Sequence, residues 1–394
     1  MRIRAWCVVL ALAPAAFADG PASPVRSRMQ AFIDSGDIAG AVTVVGRVDG
    51  VLALDTVGLA DIDGRKAMTP ETMFRIASMT KPIVSIAIMQ LAEAGKLNVS
   101  DPVEKHLPEF KGQMLAVVGP DKAVTLKKPS RPIHIRDLLT HTSGLPNPQY
   151  GLADIYRTRR YTLAEGVMAF SQRPLDFEPG SKWSYCNSGI DTLGRIVEVA
   201  SGMAYDDYLK KNIFDPLGMK NTATFPTPAQ LERTATIYEK KDGKLVATNA
   251  GFLGPPPGAK YPVPAGGLYS CAVDLAKLYR AMLGKGALGD ARILKPETVA
   301  EMTTLHTGDI PAGFPPGPNV GWGYGWCVLR KPEGITATLS AGTFGHGGAY
   351  GTQVWCDPTK GTFQVLLIQR TGINADASPM RQAMHEGAAG LLAK

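Results

Sequence analysis

Hydrophobic and polar positions alternate between residues 40 and 60 (GAVTVVGRVDGVLALDTVGLA), in Val-rich runs on either side of Asp49-Gly50. A period of two around an Asp-Gly turn predicts an antiparallel hairpin. From Ser78 the period becomes helical. Ile83, Ile86, Ala87, Leu91 and Ala94 share one face, Gly95 ends it, and Pro82 falls in the first turn, where a missing N–H costs nothing. Residues 96 to about 265 read as helical pieces broken by Pro- and Gly-rich loops. The longest loop, 251–266 (GFLGPPPGAKYPVPAG), is expected to rim a cleft. Strand signals return at 323–330, at 350–356 and at 362–369, and a final helix is predicted from about Pro379 to Leu392.

Strands at both ends with helices between them predict an α+β fold: a central antiparallel sheet formed from both termini, flanked by helices, with a mostly helical lobe inserted. The sheet lobe would span about 25–81 and 266–394, and the helical lobe about 82–265. Both would belong to a single catalytic domain, 19–394. The cleft between the lobes is the expected place for a site.

The first residues read as an address. Arg2 and Arg4 precede an apolar run at 6–17 that is too short to span a bilayer, and Ala16-Phe17-Ala18 offers a small-x-small cleavage site. Residues 1–18 are therefore expected to be a signal peptide, and the mature protein to be exported to a periplasm or the medium. Cys7 lies inside the run, so a lipid anchor is not expected there. No later apolar stretch reaches the roughly 18 residues of a membrane helix, so no stable membrane anchor is expected.

The 394 residues, 45% hydrophobic and 20% charged, are ordinary for a soluble protein. Of the formal net charge of +7, Arg2 and Arg4 carry two. The remainder is dispersed, with no basic and aromatic cluster that would suggest a nucleic-acid groove. Cys186, Cys271, Cys327 and Cys356 form no CxxC pair; Cys327 and Cys356 lie in strand-like segments, where free buried thiols are expected rather than a disulfide. Without HExxH or paired CxxC, neither a metal nor another cofactor is expected. Oligomeric state leaves no mark in the sequence.

Three groups of residues could carry chemistry. Ser78-Met79-Thr80-Lys81 places a hydroxyl and an amine one helical turn apart. A serine needs a base, and a lysine can be that base once burial has made it neutral. Tyr185-Cys186-Asn187 follows Pro179-Gly180 and Trp183 in a loop; beside a lysine, Tyr185 could be partly ionised and shuttle a proton, while Asn187 could bond both the lysine and a substrate carbonyl. Gly345-His346-Gly347-Gly348-Ala349 opens the strand running to Cys356, where glycines let a substrate lie against the edge. The N–H groups of Ala349 and Ser78 could form an oxyanion hole. Each group alone also has an ordinary structural reading as a cap, a turn or a hairpin.

Together, and in this order, they resemble the serine β-lactamase and penicillin-binding-protein superfamily, in its class C-like branch with D,D-peptidases and family VIII esterases. The segment Arg131-Pro132-Ile133-His134-Ile135-Arg136-Asp137-Leu138-Leu139-Thr140-His141-Thr142-Ser143-Gly144-Leu145 is similar to a signature of that branch. Phe74-Arg75-Ile76-Ala77 and Pro264-Ala265-Gly266-Gly267-Leu268-Tyr269-Ser270 add to the likeness, which runs from about residue 25 to 370. The resemblance implies an acyl-enzyme on Ser78, with Lys81 and Tyr185 as base and proton relay and the N–H groups of Ser78 and Ala349 holding the oxyanion. It implies a structural role for His141 and Ser143.

One departure bears on substrate. Where β-lactamases of this kind have Lys-Thr-Gly, this chain has His346-Gly347-Gly348, residues expected to line the substrate site without a lysine or a hydroxyl for a carboxylate. Losing one charge-assisted hydrogen bond costs about 1.5–3 kcal/mol. An esterase acting on small acyl esters is therefore the expected function. The alternatives are a β-lactamase or D-Ala-D-Ala carboxypeptidase, and a non-catalytic penicillin-binding or sensor protein. The chain has no GxSxG, so the esterase reading does not rest on an α/β-hydrolase elbow.

Overall fold

A computed structural model describes residues 23–147, 152–248 and 254–393; the expected signal peptide lies outside them. Eight antiparallel strands form one sheet. In chain order they are β1 (Gly40–Arg47), β2 (Val51–Asp61), β3 (Lys66–Ala67), β4 (Val320–Trp322), β5 (Cys327–Leu329), β6 (Phe344–Gly347), β7 (Gln353–Asp357) and β8 (Thr362–Leu367). Their spatial order is β4-β5-β6-β7-β8-β1-β2-β3, so the β1–β8 pairing joins the two ends of the chain. The architecture is the expected α+β one.

The sheet is buried on both faces, which explains the unbroken apolar run in β1. Val42 and Val44 with Phe363, Val365 and Leu367 face the large core. Ala41 and Val45 with Leu366 point the other way, onto α1 (Pro24–Asp34) and the C-terminal helix Pro379–Leu392. Both helices start on the same local device: Ser23 and Ser378 accept the N–H three residues on, and a proline follows at the first helical position.

Helix α2 (Thr80–Glu93) runs through the large core and is buried on nearly every side, not on the single face that its spacing suggested. It packs against α3 (Asn187–Ser201). The region between the sheet halves also contains two small hairpins, Leu115–Val118 with Val124–Lys127 and Tyr238–Lys241 with Lys244–Ala247, where only helices and loops were expected.

Two strand expectations need correction. The 323–330 signal is a hairpin: β4 ends at Trp322, residues 323–326 turn, and β5 begins at Cys327. The segment from Gly345 to Cys356 is not one strand but the antiparallel pair β6 and β7, closed by a Gly348 N–H to Thr352 C=O bond of 2.8 Å. This pairing also decides the cysteines. β6 lies between β5, with Cys327, and β7, with Cys356, which separates the thiols by two strand spacings of roughly 4.8 Å, beyond disulfide reach. All four described cysteines are free thiols.

Candidate active site

Segment 264–270 straps the turn that carries Ser78. Phe74–Arg75 pairs with Tyr269–Ser270, and the Ile76 N–H donates to Leu268 C=O at 3.1 Å. Thr80 Oγ1 donates to Ala77 C=O (2.7 Å) and accepts the Leu268 N–H (3.2 Å). Ala77 is thereby held at φ +45°, a region that a residue with a Cβ rarely occupies, immediately before Ser78.

Lys81 lies one turn further along, completely buried. Its Nζ is 3.1 Å from Ser78 Oγ, donates to Ala265 C=O at 2.6 Å, and lies 4.6 Å from the centre of the Tyr185 ring. Burial pushes its pKa down from 10.5 to about 7, against the opposing charges of Asp191 and Cys186. An amine at that value can accept the Ser78 proton near neutral pH.

Tyr185 completes the group: its ring centre lies 4.6 Å from Lys81 Nζ, and its side chain lines the same cavity as Ser78 and interacts with it, so the three side chains meet. Burial raises the Tyr185 pKa well above its ordinary value; the interaction with Ser78 opposes this and the charge of Asp376 adds to it. The phenol is therefore protonated at rest. That runs against the expectation of a partly ionised tyrosine, because desolvation outweighs the contribution of Ser78.

Several supports escaped the sequence reading. Asp191, on α3 and 0% exposed, accepts from Tyr156 Oη, from Tyr261 Oη (2.9 Å) and from the Ala265 N–H (2.8 Å). Ala265 then presents its carbonyl to Lys81, so one peptide links the carboxylate to the amine. The 251–266 loop, of which 251–253 lie outside the described residues, does not rim the cleft in its second half but dives beneath the site, with Tyr261 to Ala265 all buried. Asn147 clamps the Tyr185 loop by donating from Nδ2 to Tyr185 C=O and accepting the Asn187 N–H, both at 2.7 Å. His141, for which a structural role was expected, accepts the Cys186 N–H at 3.1 Å through Nδ1, and its ring lies 4.5 Å from that of Tyr185. Burial holds it neutral.

Asp191 gives a pH prediction. Burial raises its pKa to about 6, so at pH 7 it is mostly ionised, and its charge holds the Lys81 pKa up. Activity that needs neutral Lys81 falls as pH drops through about 7. Asp191→Asn removes the charge but keeps an acceptor for Ala265, so the acid limb of kcat/KM moves to lower pH. A limb that stays in place would show that Asp191 does not tune the lysine.

The third element closes the site. Thr352 Oγ1 donates to Ile76 C=O at 3.2 Å, which ties the β6–β7 turn to the Ser78 turn. Ser78, Tyr185, His346, Gly347, Gly348 and Ala349 line one cavity of about 760 Å³, within the usual range for small-molecule sites. His346 Nδ1 lies 2.7 Å from Gly347 C=O and so carries the proton, which leaves Nε2 as an acceptor with no hydrogen-bond partner among the described residues. Burial, helped by the charge of Lys81, pushes its pKa down to about 3, so it offers no cation to a carboxylate. Asn187 stands apart from the others. It is the first residue of α3 and is absent from the cavity lining, and the hydrogen bonds of Lys81 Nζ go to Ser78 and Ala265 instead.

A family model described as Beta-lactamase matches residues 25–389. The chain belongs to the beta-lactamase family. Within that family it is similar to esterase EstB of Burkholderia gladioli, 30% identical over 406 aligned residues that cover 95% of this chain and 97% of the relative. A solved structure of the hydrolase EstCE1, which has promiscuous acyltransferase activity, superposes with a TM-score of 0.76 at 28% identity, covering 93% of this chain and 97% of that one. The penicillin-binding protein homologue from Pyrococcus abyssi gives a TM-score of 0.70 at 25% identity, covering 94% and 77%. This beta-lactamase-family chain is a serine hydrolase.

Proposed function

We propose that the protein is an esterase that forms an acyl-enzyme on Ser78. The observation that carries this is the amine of Lys81, made weakly basic by burial, 3.1 Å from Ser78 Oγ. Lys81 takes the hydroxyl proton as Oγ attacks the ester carbonyl. The N–H groups of Ser78 and Ala349 hold the oxyanion. Tyr185 gives its proton to the departing alkoxide and is reprotonated from Lys81. Water then attacks the acyl-serine while the same groups run in reverse, releasing the acid and restoring Ser78.

Esters are favoured over β-lactams and D-Ala-D-Ala peptides because neutral His346 and Gly347 supply neither a cation nor a hydroxyl for a substrate carboxylate. The likeness to EstB along nearly the full length of both chains supports the same choice. Turnover of p-nitrophenyl butyrate is expected to exceed that of nitrocefin and of a D-Ala-D-Ala peptide by ten- to a hundredfold in kcat/KM, the worth of about one charge-assisted hydrogen bond. Faster nitrocefin turnover per active site would reverse the assignment.

A further inference from the structure

One ion pair on the cavity wall, buried at its arginine end, has no part in the mechanism above. Arg381, on the C-terminal helix, has a side chain only 6% exposed. Its guanidinium stacks 4.1 Å from the centre of the Trp355 ring, donates to Asp376 C=O at 2.7 Å and to His385 Nε2 at 3.2 Å, and lies 3.7 Å from Asp376 Oδ1. The Asp376 side chain is 34% exposed, and both residues line the cavity. The pair therefore hides its positive end and presents its negative end.

Asp376 sits at a telling place. A Cβ built on Gly347 would lie 2.8 Å from Asp376 Oδ1 and 2.7 Å from Gln353 Nε2. Gln353 Nε2 in turn donates to Ala375 C=O at 2.8 Å, which holds this segment against the edge of β6. The space that a threonine side chain would take at position 347 is thus filled by a carboxylate. A hydroxyl there could receive a substrate anion; Asp376 repels one.

The side of the substrate can also be assigned. Tyr185 must face the leaving alcohol to protonate it, and His346, adjacent to Gly347, has its ring 6.1 Å from that of Tyr185. Ala349 follows in the turn as the proposed oxyanion donor. A substrate laid along 346–349 therefore puts its alcohol portion beside Gly347 and Asp376. The rings of Tyr185 and Phe314, 5.0 Å apart, also line the cavity and offer faces that attract cations. Lys331 and Glu333, the remaining charged lining residues, pair with each other at 3.4 Å.

We propose that Asp376 makes the alcohol side of the site select a cationic group, so that the preferred substrates are esters of amino or ammonium alcohols. This rests on the esterase reading and adds the charge of its substrate.

The test holds the acyl group constant and varies the alcohol in butyrylcholine, its uncharged isostere 3,3-dimethylbutyl butyrate, and the anionic 3-butyryloxypropanoate. In the unmodified protein kcat/KM is expected to fall about tenfold from cation to neutral ester, the worth of one partly screened charge contact of ~1.4 kcal/mol, and again from neutral to anion. Asp376→Asn should bring the cation-to-neutral ratio down toward the small residual preference of the Tyr185 and Phe314 rings; a folded variant that keeps the full ratio would overturn the assignment to Asp376. If the unmodified protein hydrolyses the neutral ester at least as well as butyrylcholine, the inference is overturned and the esterase reading stands. If neither these esters nor p-nitrophenyl butyrate is turned over, the esterase reading falls and the inference with it. Because the series needs no variant, a misfolded Asp376→Asn protein would not rescue the idea.

Discussion

Replacing Lys81 by methionine lowers acylation by about 10³–10⁴-fold and at the same time makes the folded protein more stable at pH 7. The first effect is the loss of a general base that touches the reacting hydroxyl, a contribution of about 10²–10⁴, increased here because the Tyr185 phenol is held protonated and cannot substitute for it. Ser78→Ala should abolish labelling by a fluorophosphonate altogether, since no acyl or phosphonyl adduct can form without Oγ. The second effect follows from burial. Lys81 is 0% exposed, and its pKa drops from 10.5 in the unfolded chain to about 7 in the folded one. Between those values the unfolded state binds a proton that the folded state does not, so stability rises with pH across that window. Below it the buried amine costs a few kcal/mol. Methionine is of similar length and carries no charge, so it removes that cost. Thermal melts should show a gain at pH 7 that narrows as pH rises toward 10.5 and vanishes above it, where lysine is neutral in both states. A variant that loses activity and also loses stability at pH 7 would mean that the amine is not the desolvated base described here.

How much of this was legible beforehand differs by kind of signal. The β1–β2 hairpin was readable because Asp49-Gly50 sits between two apolar runs, and the last helix because Ser378-Pro379 announces its start. Ser78, Lys81 and Tyr185 were readable as a set because order and spacing carry across the family. What failed was whatever tertiary packing decides. The Gly345–Ala349 stretch read as the opening of one strand running to Cys356, yet Gly348–Gly351 is a tight turn fixed by the Gly348 to Thr352 bond. Trp326 looked like strand but is a wholly buried turn residue. The hairpins at 115–127 and 238–247 expose Val118, Val124, Leu126 and Val246, so no buried face imposed an alternation to read.

Among site residues, Asp191 did leave a trace. It is an acid on the face of a helix whose neighbours Ile190, Leu193, Ile196 and Val197 are all buried, and a charge at such a position needs partners. Asn147 and Asp376 left none. One works by clamping a distant loop, and the other by filling space beside a glycine on a strand far from it in sequence. Such roles exist only once the chain has closed.

Gly348→Ala is expected to cost about 10²-fold in kcat/KM for every ester, whatever its charge. A Cβ at this position would come 2.2 Å from Thr352 Oγ1 and 2.5 Å from Ile76 C=O. Those two atoms are themselves hydrogen-bonded at 3.2 Å, and that bond ties the Ala349 turn to the Ser78 turn. The new methyl group must therefore push the two proposed oxyanion donors apart. A displacement of about 1 Å in such a site costs about 10²-fold, and losing one donor costs 10²–10³-fold. Gly347→Ala provides the contrast. Its Cβ would meet Gln353 Nε2 at 2.7 Å and Asp376 Oδ1 at 2.8 Å, side-chain ends and not backbone, so the strain falls on the Ala375–Asp376 segment that Gln353 holds and not on the Ser78 turn. Its loss on p-nitrophenyl butyrate should be roughly tenfold smaller, and it should fall more heavily on butyrylcholine, whose proposed partner it displaces. Equal losses at the two glycines, across both substrates, would mean that the β6 edge acts as one rigid wall; a divided role for Gly348 toward the oxyanion and Gly347 toward the alcohol could then not hold.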